Sequence, residues 1–277
     1  ANTAPGCPQL LNVVPAKALG TSTLAGWQCG IPTAIAMFVL SYFYLIFTAK
    51  KYAKQGIGFE ADEADQASEA ELNRPRPTMI LALIPIVLVF VLYVGVGFSA
   101  EKAVLLADLV AVILMFKYLP LEGWKNALSE GAHDSIDAVM GTAVIVGFGG
   151  VVTATPFYSA VIDFITHSNM NIYLLAASST MILAGLLASA TGSASLVMAT
   201  LGDVYLNSGA NLALIHRIVS QMACTFDSLP HCGALVAVFS ICKTDHPHAY
   251  KHLLVTSALI PLLCVWLIDV PYALIFG

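Results

Sequence analysis

Charge is what this sequence has least of. Only 10% of its 277 residues are Asp, Glu, Lys or Arg, where a soluble domain carries roughly 25%. Such a chain has too few solvated groups to cover a globular surface. That argues against a large soluble all-α protein and for lipid as much of the solvent. A clustered basic footprint is also missing and the net charge is −5, so nucleic acid is excluded as a partner. The six cysteines (Cys7, Cys29, Cys224, Cys232, Cys242 and Cys264) contain no C-x-x-C pair. Neither a zinc site nor a disulfide framework is expected, and most of them read as small buried hydrophobes. No metal or organic cofactor is called for. No basic n-region with an apolar core and cleavage site opens the chain. It starts at Ala1 and meets Pro5-Gly6-Cys7-Pro8 at once, as if in the middle of a structural unit.

What fills the sequence is apolar: 58% of residues, with a mean hydropathy of +0.82. A bilayer-spanning helix needs about 20 mostly apolar residues. Gly30–Thr48, Thr78–Phe98, the shorter Ala103–Lys117 and Leu253–Phe276 read as such helices. Three more apolar runs carry interruptions. Asp137–Ile165 contains Gly147-Phe148-Gly149-Gly150, Ile172–Ala190 meets Thr191-Gly192-Ser193-Ala194-Ser195, and Leu212–Ile241 contains Asp227-Ser228-Leu229-Pro230-His231-Cys232-Gly233.

One hydrophilic linker, 49–77, separates an N-terminal part, 1–48, from the remainder, 78–277. It holds acids (Glu60, Asp62, Glu63, Asp65, Glu69, Glu71) between bases that sit at the helix ends (Lys50, Lys51, Lys54, Arg74, Arg76). Lys and Arg beside spans set orientation, so the linker is expected on the cytoplasmic side, with Lys117, Lys125, Lys243 and Lys251. Leu121–Asp137 alternates charge with Trp124, Leu128 and Ile136. It reads either as an interfacial amphipathic helix or as an ordinary polar loop.

Irregular backbone at membrane depth survives only where protein or a water-filled cavity satisfies it. Two such stretches, Pro5–Gln9 and Asp227–Gly233, share an order. Each has a proline, a cysteine two residues later, a lysine twelve or thirteen residues after the proline (Lys17, Lys243), and then a long apolar helix. The first long helix ends inside and the second starts inside, so the two copies are expected to be inverted repeats around a midplane site. By that symmetry roughly 150 residues of the first repeat are expected upstream of Ala1. Thr191–Ser195 reads either as the tip of a re-entrant hairpin facing an anion or as a small-residue packing face.

These residues resemble the gluconate permease family. Pro5-Gly6-Cys7-Pro8-Gln9 with Asn12-Val13-Val14-Pro15 and Leu19-Gly20-Thr21 is similar to a run found in some members. Asp227-Ser228-Leu229-Pro230-His231-Cys232-Gly233-Ala234 resembles its D-S-L-P-H stretch, and Thr191–Ser195 and Gly147–Gly150 resemble its TGSAS-like and Gly-rich segments. The resemblance spans nearly the whole chain. It implies an all-α integral membrane protein of the ion transporter superfamily, a multi-spanning secondary transporter with inverted repeats, broken helices and a re-entrant hairpin. It further implies a symporter of the bacterial inner membrane, commonly a homodimer, importing gluconate, hydroxybutyrate or a related acid with a proton. Cys7 and Cys232 depart from the family's usual small or polar residues. The pattern lies nearer its hydroxy-acid members.

Ionisable groups within a membrane mark ion or substrate paths, which singles out His231 and Asp227 for proton coupling. His231 reads as a ligand of the substrate carboxylate or a proton relay, or alternatively as a histidine satisfied by a backbone carbonyl. Asp227 reads as proton carrier, as partner of His231, or as a solvated acid of a vestibule. Pro5, Gly6, Cys7, Gln9, Gly192, Ser193, Ser195, Ser228, His231 and Gly233 are the expected substrate contacts. The hydroxyls donate to a carboxylate and the glycines allow close backbone approach. Hydroxyls and carbonyls at the breaks suit Na⁺ equally, so the coupling ion, H⁺ or Na⁺, stays open. Arg217 is expected toward the outer side as an anion attractor, an ion-paired residue or a snorkelling one. His246, His248 and His252 are expected in a solvated turn, and His133, His167 and His216 give no signal. A membrane hydrolase using Ser193 or Ser195 with His231 and Asp227 lacks the G-x-S-x-G elbow, so a non-enzymatic transporter is the reading taken forward.

Overall fold

Prolines, glycines and capping side chains divide the apolar runs into helices of very different lengths. The computed structural model describes residues 3–58, 76–156, 159–160, 163, 170–242 and 244–277, and is all-helical among them. The chain forms two compact units, Ala1–Ile46 with Met140–Gly277, and Phe47–Val139.

In the first unit, α1 (Leu10–Leu19) follows the Pro5–Gln9 stretch and stops at Gly20, whose φ of 64° provides a left-handed cap. A turn over 21–26 leads into α2 (Trp27–Lys54), 28 residues and about 42 Å long. Its apolar side chains point largely outward, Phe43 being 64% exposed. After α6 (Ile172–Leu187) the chain reverses at Ala188 and Ser189 and enters α7 (Ala190–Leu206). These two helices pack as a hairpin. The Tyr205 and Ser179 hydroxyls lie 3.2 Å apart, and the Tyr173 hydroxyl accepts the Asn211 N–H at the open end.

Next come α8 (Leu212–Met222), a turn with a 3₁₀ segment at Phe226–Ser228, and α9 (Gly233–Ile241). The last helix, α10, runs His246–Phe276. Asp245 caps it by accepting the His248 N–H, and the His248 ring beside it holds that carboxyl below its ordinary range. Two of its π-helical turns, Leu254–Leu259 and Val265–Asp269, precede Pro261 and Pro271. Each proline lacks an N–H for the carbonyl four residues back, and the wider turn accommodates that loss. Residues of α6, α7 and α8, with Leu11 and Leu19 of α1, Cys29 of α2 and Val265, Val270 and Ala273 of α10, make the buried core.

In the second unit, α3 (Met79–Phe90, continuing as a π turn over Val91–Gly95) folds against α4 (Ala100–Met115). Gly97 turns the chain with a φ of 79°, and Ala103 and Ala107 are the buried side chains of α4, small enough for close approach. A long helix, α5 (Leu121–Thr153), begins in this unit.

Two helices among the described residues, α2 and α10, are long and apolar enough to cross a membrane. Both contain expected spans; Thr78–Phe98 and Ala103–Lys117 also correspond to helices, which are shorter.

Several expectations need correction. Gly147–Gly150 does not interrupt its run, because α5 passes through it unbroken. Nor is Leu121–Asp137 a separate interfacial helix or loop, since α5 continues through it to Thr153. Thr191–Ser195 is helical; the break lies just before it, where Ala188 takes φ 44° and Ser189 caps α7 by accepting the Gly192 N–H. The second break starts earlier than Asp227, since α8 ends at Met222. His246, His248 and His252 belong to the first turns of α10 rather than to a loop. The linker acids, Arg74, Lys243, His167 and the end of the Asp137–Ile165 run lie outside the described residues.

Candidate functional site

A cavity of about 380 Å³ lies beside both predicted breaks in the first unit. Thr3 and Ala4 line it just ahead of Pro5, and Asp227 and Ser228 line it from the second break. Ser41 of α2 and Thr256 and Ser257 of α10 add hydroxyls; Ala34, Met37, Phe38 and Pro261 supply apolar wall. The Ser228 hydroxyl donates to Asp227 Oδ1 at 3.0 Å. Thr256 and Ser257 donate to the carbonyls of His252 and Leu253, so with Ser228 they offer acceptor oxygens to the cavity, and among apolar walls these suit a small molecule that carries hydroxyl donors.

Arg217 holds the first break in place. Its side chain is fully buried and all five of its N–H groups find uncharged oxygens. Nε and Nη2 donate to the Ala25 carbonyl, Nη2 also to Thr23 O, and Nη1 to Thr3 O and Asn12 Oδ1. Asn12 in turn donates to Ala4 O and Cys7 O, and Gly6 N–H reaches Thr23 O. Backbone groups left over by the irregular stretch are thus satisfied by two side chains rather than by water. Gly30 makes room for the clasp, since a Cβ there would lie 2.5 Å from Arg217 Cδ and 3.0 Å from Pro5 Cγ. Arg217 is therefore neither an outer-facing anion attractor nor a snorkelling or ion-paired residue. Its planar fork matches convergent carbonyls that the sequence did not show to be adjacent.

The second break is fastened differently. His231 is exposed and its Nε2 donates to Gly185 O at 3.0 Å, next to the hairpin tip. His246 Nε2 donates to Pro230 O, and the Tyr250 hydroxyl to Ser228 O. A carbonyl oxygen can only accept, so both imidazoles carry their proton on Nε2 here. For His231 the carbonyl-bound alternative describes this structure.

Among the other expected contacts, Pro5, Cys7 and Ser195 are half-buried, Gly6 is buried with φ 82°, and Gln9 and Gly233 are exposed where α1 and α9 begin. Gly192 and Ser193 are buried in the first turns of α7, Ser193 donating to Ala190 O. The cavity brings together Asp227 and Ser228 of that set, and its walls do not include the rest.

Sequence reading passed over a second group of polar residues in the same unit. Asp269 of α10 is fully buried and accepts the Thr33 hydroxyl on Oδ1 at 2.7 Å. Gln221 donates to Gly30 O, and His216 Nδ1 meets the Thr21 hydroxyl. Asp269 Oδ2, Gln221 Oε1 and His216 Nε2 are buried without a hydrogen-bond partner. The missed signal was an acid near the end of an apolar stretch long enough to span a bilayer.

No family model matches the chain, and no solved structure matches it. It is similar to the uncharacterized transporter YxjC of Bacillus subtilis (strain 168), with 25% identity over 289 aligned residues. The match covers 89% of this chain and 61% of the relative, so the chain spans less than two thirds of that protein's length.

Proposed function

We propose that this chain is part of a membrane-embedded secondary transporter that carries a small organic acid, of the gluconate or hydroxybutyrate kind, into the cell together with a proton. One observation carries the reading: the cavity joins Thr3 and Ala4 to Asp227 and Ser228, so the flanks of both breaks face one polar seat. Similarity to a relative described as a transporter supports it. Two helices of spanning length and the outward apolar face of α2 support lipid as the surroundings, in a bacterial inner membrane.

The seat explains the coupling. An anionic cargo beside an ionised Asp227 meets like-charge repulsion in a medium that screens poorly. A protonated Asp227 instead offers a hydrogen-bond donor, so cargo and proton enter together. The hydroxyls of Ser41, Ser228, Thr256 and Ser257 then suit a hydroxy acid better than a plain fatty acid. His231 joins the site when the cycle releases it from Gly185 O.

The order of elements supports an inverted repeat. A break, a helix of 10 residues (α1) and a long helix recur as a break, a helix of 9 residues (α9) and a long helix. The α6–α7 hairpin is then the re-entrant element, and the whole transporter works as a homodimer. The reading is non-enzymatic: the Ser193 hydroxyl donates to Ala190 O and His231 Nε2 to Gly185 O, so neither is bonded to the other as nucleophile and base.

The test is uptake of radiolabelled gluconate and hydroxybutyrate by the full-length protein in proteoliposomes, with and without an inward proton gradient. Accumulation that needs the proton gradient is the expected result. Accumulation driven by a sodium gradient alone would replace H⁺ by Na⁺, and no uptake across the panel would contradict the transporter reading.

A further inference from the structure

We infer that Asp269 is a second proton-carrying carboxyl of the transport cycle, separate from the cargo cavity and linked to it through Arg217. The inference rests on the symport reading above. Its starting point is the cost of the site. A carboxyl with no exposed surface in an apolar helix is expensive to keep ionised, and it persists where it is used. A single hydrogen bond, from the Thr33 hydroxyl to Oδ1, supports it, while Oδ2 has none. The Cys29 thiol lies beside it, but its one proton goes to Gly26 O.

The seat is built for the neutral acid as well as for the anion. Gln221 Oε1 is a second buried acceptor without a donor. Its amide nitrogen is tied to Gly30 O, and Gly30 stands one turn before Thr33 on the same face of α2. Both residues with an orphan oxygen therefore fasten to one turn of α2, Gln221 at Gly30 and Asp269 at Thr33. A proton on Asp269 Oδ2 turns that orphan acceptor into a donor. A hard metal ion would need about six oxygen ligands; a proton needs neither space nor a shell. Asp269 also ends a π-helical turn, a local widening often found at working positions.

Arg217 connects this seat to the cavity. Its side chain packs on Gly30, one turn of α2 before the Thr33 that donates to Asp269, yet all five of its N–H groups are already placed on neutral oxygens. Asp269 can therefore gain or lose a proton without dismantling the clasp. When it is ionised, the two buried charges balance. When it is protonated, Arg217 is left uncompensated until a carboxylate arrives. Thr3 belongs to both sites, lining the cavity while its carbonyl accepts Arg217 Nη1. The titratable groups facing Asp269 are Cys29 from α2, Arg217 from α8 and Cys264 from its own helix. Each cycle takes one proton from water on the outer side onto Oδ2 and returns it to water inside. With the Asp227 proton and a monovalent cargo anion, one net positive charge moves inward.

The experiment uses full-length protein in proteoliposomes with labelled hydroxybutyrate and gluconate, measuring two activities. One is exchange of internal for external cargo; the other is net uptake under an inside-negative potassium diffusion potential. Wild type should exchange, and the potential should raise its net uptake several-fold. Asp269→Asn should still exchange but lose the response to potential, and Asp269→Glu should recover it. Asp269→Asn responding like wild type would overturn the inference, as would loss of exchange in both variants, which marks a packing role. Wild-type exchange without any response to potential would overturn it too, while leaving the transporter reading intact. Absence of exchange in wild type would instead remove the symport reading beneath it.

Discussion

Arg217 Nη1 donates to Asn12 Oδ1 at 2.9 Å, and through that bond one buried cation organises the whole irregular stretch before α1. Asn12 cannot donate to Ala4 O and Cys7 O as it does unless its carbonyl oxygen faces the guanidinium. The two residues are 205 positions apart, yet together they fix the cavity wall at Thr3 and Ala4.

Arg217→Lys should therefore be severe although it keeps the charge. A lysine offers three donors from one atom and cannot serve carbonyls spread around a planar fork. Buried acceptors left open cost about 1–3 kcal/mol each, so we expect loss of folded protein or a large fall in melting temperature in detergent. Asn12→Ala removes one acceptor and two donations and should cost about 2 kcal/mol. A melting curve that Arg217→Lys leaves unchanged would show the clasp to be dispensable.

Gly30→Ala should be destabilising for lack of room. Its Cβ would fall 2.5 Å from Arg217 Cδ and 2.9 Å from Nε. Overpacking of this kind costs about 1–3 kcal/mol. Gly26→Ala should be worse, because φ is +65° and the new atom would meet the Ala213 carbonyl oxygen at 2.6 Å. Gly58→Ala, with open space around it, is the control. Equal melting temperatures for all three would contradict the close approach.

At the hairpin tip two adjacent substitutions should act in opposite directions. Ala188 sits at φ 44°, a region that costs a residue with a Cβ about 1 kcal/mol; Ala188→Gly should relieve that strain and raise the melting temperature slightly. Ser189→Ala removes the cap on Gly192 N–H and should cost about 1 kcal/mol. Ser189→Asp should keep the cap. Parallel melts of the three variants check the signs.

What the sequence displayed was mostly covalent punctuation. Pro5, Pro8 and Pro230 announce irregular backbone because each removes an N–H and crowds the preceding turn, and Gly6 permits the left-handed φ it adopts. Gly147, Gly149 and Gly150 looked equivalent and were not: glycine weakens a helix without forbidding it, and α5 passes through. Thr191–Ser195 erred by a few residues, since the breaker is a serine cap and a left-handed alanine that carry no unusual composition. The cavity was half legible. Asp227 and Ser228 stand in the conspicuous run, whereas Ser41, Thr256 and Ser257 lie in apolar stretches and meet only in three dimensions. Arg217 and Asp269 were visible as charges, but their environment depended on contacts with Thr3, Thr23, Ala25 and Thr33 across the chain.

The central claim is that the cavity between the breaks is the cargo's seat, and filling it tests this most directly. Ala34 lines the cavity, while its neighbour Ile35 is exposed. Uptake of labelled hydroxybutyrate and gluconate should be measured for Ala34→Trp and Ile35→Trp in the full-length protein, alongside their melting temperatures. The account predicts that Ala34→Trp melts like wild type but takes up neither acid, while Ile35→Trp transports normally. Wild-type uptake by a folded Ala34→Trp would contradict it.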